Sequence, residues 1–143
     1  ESGDMDNRLV AAAAVMLVAG VAGCSSPPAA LGGTTAKVTI NGENKGDANA
    51  VSCTQTGWTW TIKTPDAAKG FSAALDTGGE VTVESVNFHD FGGFTGTFIK
   101  GDIGDAEVTG NGGKFTITGS ADGNFTETPS NAVTATFRIE ASC

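Results

Sequence analysis

Apolar and polar positions alternate along most of the chain beyond residue 36, and a period of two is the mark of half-buried strands. Val38 and Ile40 fall on one side of Lys37–Asn41, and Val51 and Cys53 share a side in the next segment. Trp58, Trp60 and Ile62 alternate with Thr59, Thr61 and Lys63, the clearest strand signal in the chain. Val81 and Val83 oppose Thr82 and Glu84, after which Val86 and Phe88 follow out of phase, so a shift is expected at Ser85. Phe94, Gly96 and Phe98 alternate with Thr95, Thr97 and Ile99, a further strand ends near Thr109, and Phe115 and Ile117 sit between threonines. The last strand is the longest, with Val133, Ala135, Phe137, Ile139 and Ala141 on one face.

Turn signals separate these runs. Asn41-Gly42, Lys45-Gly46, Thr77-Gly78-Gly79, Gly92-Gly93 and Asn111-Gly112-Gly113 are places where a positive φ carries little penalty. The Asn111-Gly112 pair predicts a tight hairpin into the strand that starts at Lys114. One segment departs from alternation. Thr64 as N-cap, Pro65 at the first helical position and Asp66 in the first turn predict a short helix ending near Leu75. Ala67, Ala68, Phe71, Ala74 and Leu75 would form its apolar face. The expected fold is mainly β: seven to eight strands with one short helix, as an antiparallel sandwich or a strongly curved sheet. Parallel crossovers would need longer connections than this chain has.

The first quarter of the chain has a different character. Leu9 to Gly20 reads LVAAAAVMLVAG, twelve residues without a charge or polar side chain. That length suits the apolar core of a secretion signal and falls short of the roughly 20 residues that span a bilayer. Val21-Ala22-Gly23-Cys24 closes it with small residues before a cysteine, which looks like a bacterial lipobox. Residues 1–23 are therefore read as a lipoprotein signal peptide and Cys24 as the acylated residue. Residues 24–35 form a polar tether punctuated by proline and glycine, and residues 36–143 a single β-rich domain. Two or three acyl chains on Cys24 hold a protein to a membrane, where one binds only marginally. Thr34 and Thr35 in the tether are candidate glycosylation positions.

Cysteine arithmetic agrees with export. Of the three cysteines, Cys53 and Cys143 remain once Cys24 carries lipid, and an oxidising compartment favours joining that pair. Closing about 90 residues is worth roughly 4 kcal/mol in the chain-entropy model. Two free thiols serving as metal ligands is the competing reading, but there is one histidine and no Cys-x-x-Cys, so no metal site is expected. Eight Lys and Arg against sixteen Asp and Glu set a net charge of −8, which argues against a nucleic-acid partner.

Candidate chemistry is sparse. His89, the only histidine, precedes Asp90, and neighbours on a strand point to opposite sides. Phe88, Phe91 and Phe94 around it are either core anchors of a loop or the rim of a groove. Asp102, Asp105 and Glu107 lack the spacing of an EF-hand and read as a solvated acidic turn. Trp58 and Trp60 are core residues in one reading and a lipid or glycan platform in the other. No Gly-x-Ser-x-Gly elbow or dinucleotide fingerprint is present, so no catalytic residue and no cofactor is expected. The favoured function is a non-catalytic cell-envelope lipoprotein. The alternative is an envelope hydrolase or metal-dependent enzyme using His89 with some of Asp66, Asp90, Asp102 and Asp105. In a third reading the domain is an adhesin whose exposed strand edge pairs with a partner chain.

The order of features resembles the LpqH-type (19 kDa antigen-like) lipoproteins of mycobacteria. The resemblance rests on the Val21-Ala22-Gly23-Cys24-Ser25-Ser26 lipobox, the Lys37-Val38-Thr39-Ile40-Asn41-Gly42 element and Val51-Ser52-Cys53. It continues in Phe71-Ser72-Ala73-Ala74-Leu75, Phe115-Thr116-Ile117-Thr118-Gly119-Ser120-Ala121 and the closing Phe137-Arg138-Ile139-Glu140-Ala141-Ser142-Cys143. It implies a surface-exposed, membrane-anchored and often glycosylated antigen, whose acylated terminus is recognised by host Toll-like receptor 2. It implies no enzyme activity.

Overall fold

A computed structural model describes residues 34–143, and from them it builds one antiparallel sheet of eleven strands. The signal segment, Cys24 and the tether before Thr34 lie outside the described residues. In chain order the strands are β1 (Thr35–Ile40), β2 (Glu43–Asn44), β3 (Asn49–Ala50), β4 (Ser52–Thr56), β5 (Thr59–Lys63) and β6 (Gly70–Asp76). They continue as β7 (Thr82–Phe91), β8 (Phe94–Ile99), β9 (Asp105–Asn111), β10 (Lys114–Phe125) and β11 (Val133–Ser142). Their order across the sheet is β2-β1-β11-β10-β8-β7-β6-β5-β4, with β3 also on β1 and β9 also on β10.

The sheet curls into a half-barrel because one segment serves both of its ends. β3 pairs with β1 (Thr35↔Ala50, Ala36↔Asn49), and after Val51 the same run of chain becomes β4 and pairs with β5. Val51 at the junction is buried, and its amide donates to the Thr34 carbonyl at 3.2 Å. Side chains on the concave face form the core. Val38, Ile139 and Ile117 make one row across β1, β11 and β10; Ala36, Ala141 and Phe115 make the next. Phe88 occupies the middle, with ring centroids 5.4 Å from Phe137, 5.7 Å from Phe94 and 6.2 Å from Phe71. No polar or charged residue is buried among the described residues.

The seven to eight strands with a short helix expected above are corrected here to eleven strands, with no helix among the described residues. The segment read as a helix supplies β6, which is hydrogen-bonded on both sides, to β5 and β7. Phe71, Ala73 and Leu75 satisfy a period of two while Phe71, Ala74 and Leu75 satisfy the helical spacing, and pairing on both edges decides between them. The polar residues taken for a cap close a hairpin loop instead. The Phe71 amide donates to Thr64 Oγ1 (3.0 Å), the Thr64 amide to the Phe71 carbonyl (3.0 Å), and the Ala68 amide to Asp66 Oδ1 (2.9 Å). Thr and Asp side chains that cap helices fold turns by the same hydrogen bonds. β2 and β3, two residues each, are too short to leave a periodic signal.

Two irregularities shape β7. Leu75 pairs with Val83 and Ala74 with Ser85, so Glu84 is the extra residue of a bulge, next to the phase shift expected at Ser85. Phe88 pairs with Gly96 and Phe91 with Phe94, which leaves His89 and Asp90 opposite Thr95. Asp90 there has φ 44°, and its amide donates to Thr95 Oγ1 at 2.9 Å. Gly92 and Gly93, both at positive φ, then form the two-residue turn into β8.

The sheet forks at β10. Along one edge β10 pairs with β9 from Lys114 to Ser120, then with β8 from Asp122 to Phe125. Phe98 and Ile99 leave that edge and stay with β7, so β9 has a sheet neighbour on one side only. Glycines sit on both sides of the handover because side chains would not fit: a Cβ at Gly119 would collide with the Asp105 carbonyl oxygen, and one at Gly123 with that of Thr95.

Truncating the central ring tests this packing. Phe88→Ala should lower unfolding stability by about 3–5 kcal/mol. Thr54→Ala on the exposed face of β4 should change it by less than about 0.5 kcal/mol. Urea midpoints at unchanged slope would measure both.

Candidate functional site

The two ends of the half-barrel meet at a covalent link. Cys53 on β4 and Cys143, directly after β11, form a disulfide across a sequence separation of 90, with Cα atoms 5.9 Å apart. The Cys143 amide also donates to the Gly113 carbonyl at 2.6 Å, which ties the end of β11 to the β9–β10 turn. Beside this junction lies an open groove of about 460 Å³ lined by Trp60, Thr77, Val81, Gly110, Phe115 and Cys143, with Gly112 and Gly113 at its lip. Trp60 meets Phe115 edge to face across it, centroids 5.6 Å apart.

The two tryptophans divide. Trp60 is half-buried against the core, whereas Trp58 is 69% exposed in the two-residue β4–β5 turn after Gly57. Alternation placed both on one face, but a residue at a turn tip leaves the pleat. Thr77 holds the tip, its amide and Oγ1 both donating to the Trp58 carbonyl at 2.7 and 2.9 Å. A Cβ at Gly78 would stand 3.0 Å from the Trp58 indole, so the ring lies against that glycine.

Of the two readings open for the phenylalanines, burial matches the core one. Phe88 and Phe94 are fully enclosed and Phe91 is 8% exposed, because the Gly92-Gly93 turn folds Phe94 back beside Phe91 over Phe88. His89 projects to solvent between them on the other face, above a depression of about 250 Å³ that also touches Lys63, Thr64 and Ser72. The carboxylates proposed for an enzyme do not converge on it. Asp90 accepts from Thr126 Oγ1 at 2.7 Å and faces Lys69 at 4.0 Å; Asp66 is engaged in its own loop. Asp102 lies in the β8–β9 turn and Asp105 opposite Ser120 on β10. Among the described residues no three His, Cys, Asp or Glu side chains cluster as metal ligands.

The acidic stretch is partly strand. Asp105 and Glu107 face solvent from β9, while Ala106 and Val108 turn inward and pack on the core. The Asp105-Ala106-Glu107-Val108 alternation carried that signal in the sequence, masked by the glycines around it. Thr77, Val81 and Gly110 as groove residues left no sequence signal, since they converge only when the sheet curls. Thr35 is paired with Ser142 in β1, and Thr34 next to it is exposed.

A disulfide-closed β domain with open surface grooves fits an oxidising compartment. The chain belongs to the Mycobacterium 19 kDa lipoprotein antigen family, whose model matches residues 29–143. It is 36% identical over 140 residues to a protein named as a lipoprotein in Mycobacterium indicus pranii, covering 97% of this chain and 100% of the relative. It is 33% identical over 151 residues to the lipoprotein LpqH of Mycobacterium tuberculosis H37Rv, covering 92% and 94% of the two chains. The protein is thus a lipoprotein of the mycobacterial cell envelope, membrane-anchored and extracytoplasmic.

The disulfide is expected to govern the groove. Replacing both Cys53 and Cys143 with alanine should remove about 2–4 kcal/mol of stability. Residue-resolved hydrogen exchange should then show lost protection in β4 and β5 first, with the Phe91–Phe94 hairpin retained.

Proposed function

We propose that this protein is held to the envelope by acyl chains on Cys24 and presents its half-barrel on a short tether as a surface antigen. The observation that supports this reading most directly is where strand pairing begins among the described residues. Pairing starts at Thr35, so ten residues separate it from Cys24. At about 3.3 Å each, they reach roughly 33 Å when extended, enough to lift the domain clear of the headgroups. The acylated terminus is the part that host Toll-like receptor 2 would recognise, as the family resemblance implies. Thr34, exposed at the end of the tether, is the better placed of the two candidate glycosylation sites; Thr35 is committed to the sheet.

Of the two ligand classes, glycan has the better support. The interior is filled by phenylalanines, and the Trp60 groove is open, so neither encloses an acyl chain. Trp58 offers an exposed indole face of the kind on which sugar rings stack.

Cys24→Ala should move the protein from the detergent phase to the aqueous phase on phase partitioning. Intact mass of the native protein should equal the chain from Cys24 onward plus two or three acyl groups. A native mass that retains residues 9–23 without lipid would overturn the anchor. Trp58→Ala should weaken binding to any soluble envelope glycan found by array screening by several-fold, with the urea midpoint unchanged.

A further inference from the structure

The fork at β10 leaves the outer edge of β9 without a sheet partner. In an antiparallel ladder alternate residues turn their N–H and C=O away from the neighbouring strand. The Asn111↔Lys114 pair flanks a two-residue turn and is therefore hydrogen-bonded, so the backbone groups of Val108 and Gly110 point outward. Neither amide donates to a backbone group outside the strand ladders of the described residues. At the Gly110 end this edge borders the groove, where Val81 and Phe115 are apolar floor and the Trp60 ring is one wall. An unpaired strand edge beside an apolar groove is the geometry of strand addition: backbone hydrogen bonds hold an extended chain while alternate side chains fill the groove.

The charge around the groove selects the occupant. Asp76 precedes Thr77, Glu80 precedes Val81 and Glu107 precedes Val108, and all three carboxylates are exposed. The cation next to a groove residue is Lys114, between Gly113 and Phe115. A second copy of this chain would bring the same carboxylates and a net charge of −8 to the contact. We propose that β9 accepts an extended segment of a basic partner protein, lysine- or arginine-bearing on one face and apolar on the other, added antiparallel along Val108–Gly110. This goes beyond the anchoring and antigen reading and does not depend on it.

The test uses the full chain in detergent and a capped synthetic peptide of alternating lysine and valine, about as long as β9. Binding is expected to blue-shift Trp60 fluorescence in the Trp58→Phe background and to slow amide exchange at Val108 and Gly110. A glutamate–valine peptide should bind at least about tenfold more weakly at low salt. The lysine–valine peptide N-methylated at alternate amides on the hydrogen-bonding edge should likewise fail, and this control leaves the protein unaltered. Glu107→Lys together with Glu80→Lys should reverse the charge preference. Equal binding of the methylated peptide, protection confined to other strands, or concentration-dependent self-association that protects β9 without peptide would each overturn the proposal.

Discussion

A curved sheet has two edges, and the constraint that organises this domain is that a single run of chain, Asn49–Thr56, occupies both. Its first half completes β1 and its second half completes β5. The turn in allegiance falls at buried Val51, and two residues later Cys53 is brought within bonding distance of Cys143. Chain continuity alone would leave this seam free to open, since β3 contributes only two residues of pairing. The disulfide closes a span of 90 residues and therefore restricts the unfolded chain strongly where the sheet needs closing. Everything near the seam inherits its position from that closure, including Trp60, its contact with Phe115 and the groove they border.

At the fork the opposite requirement holds, because β10 is too long to be matched by one neighbour. Ten of its twelve residues pair with β11 on one side, and the other side is shared by β9 and then β8. Glycines at 119 and 123 let carbonyl oxygens of both neighbours approach the β10 backbone. The same division that lets β8 turn toward β7 strips β9 of a second partner. Acidic side chains on that strand are a usual way of discouraging association between like copies, and they also define what charge a partner must bring.

The interior bears on function through what it excludes. Seven phenylalanines are buried on the concave face and Phe125 packs against them, so the half-barrel is a filled core and not a container. Recognition is left to surface features: a turn tip with an exposed indole, an open groove and a strand edge. That distribution suits the proposed attachment through Cys24, because the folded domain would need only to be stable and exposed.

The expected seven to eight strands with one helix gave way to eleven strands, but most strand runs, the turn positions, the phase shift near Ser85 and the family were legible in the chain, because period-two burial, glycine at positive φ and short motifs are local properties. Two features were not. Phe71-Ser72-Ala73-Ala74-Leu75 satisfies helix and strand spacing alike, and only hydrogen-bonding partners on both flanks, β5 and β7, select the strand. The site was legible only in part: Trp60 stands out in the sequence, but Trp58 at the turn tip, Phe88, Phe91 and Phe94 in the core, and the convergence of Thr77, Val81, Gly110 and Cys143 do not. Alternation says which residues share a face of one strand. How far the sheet curls, which strands it brings opposite one another and which edge it leaves bare depend on pairings between residues up to about a hundred positions apart, and those exist only in the folded chain.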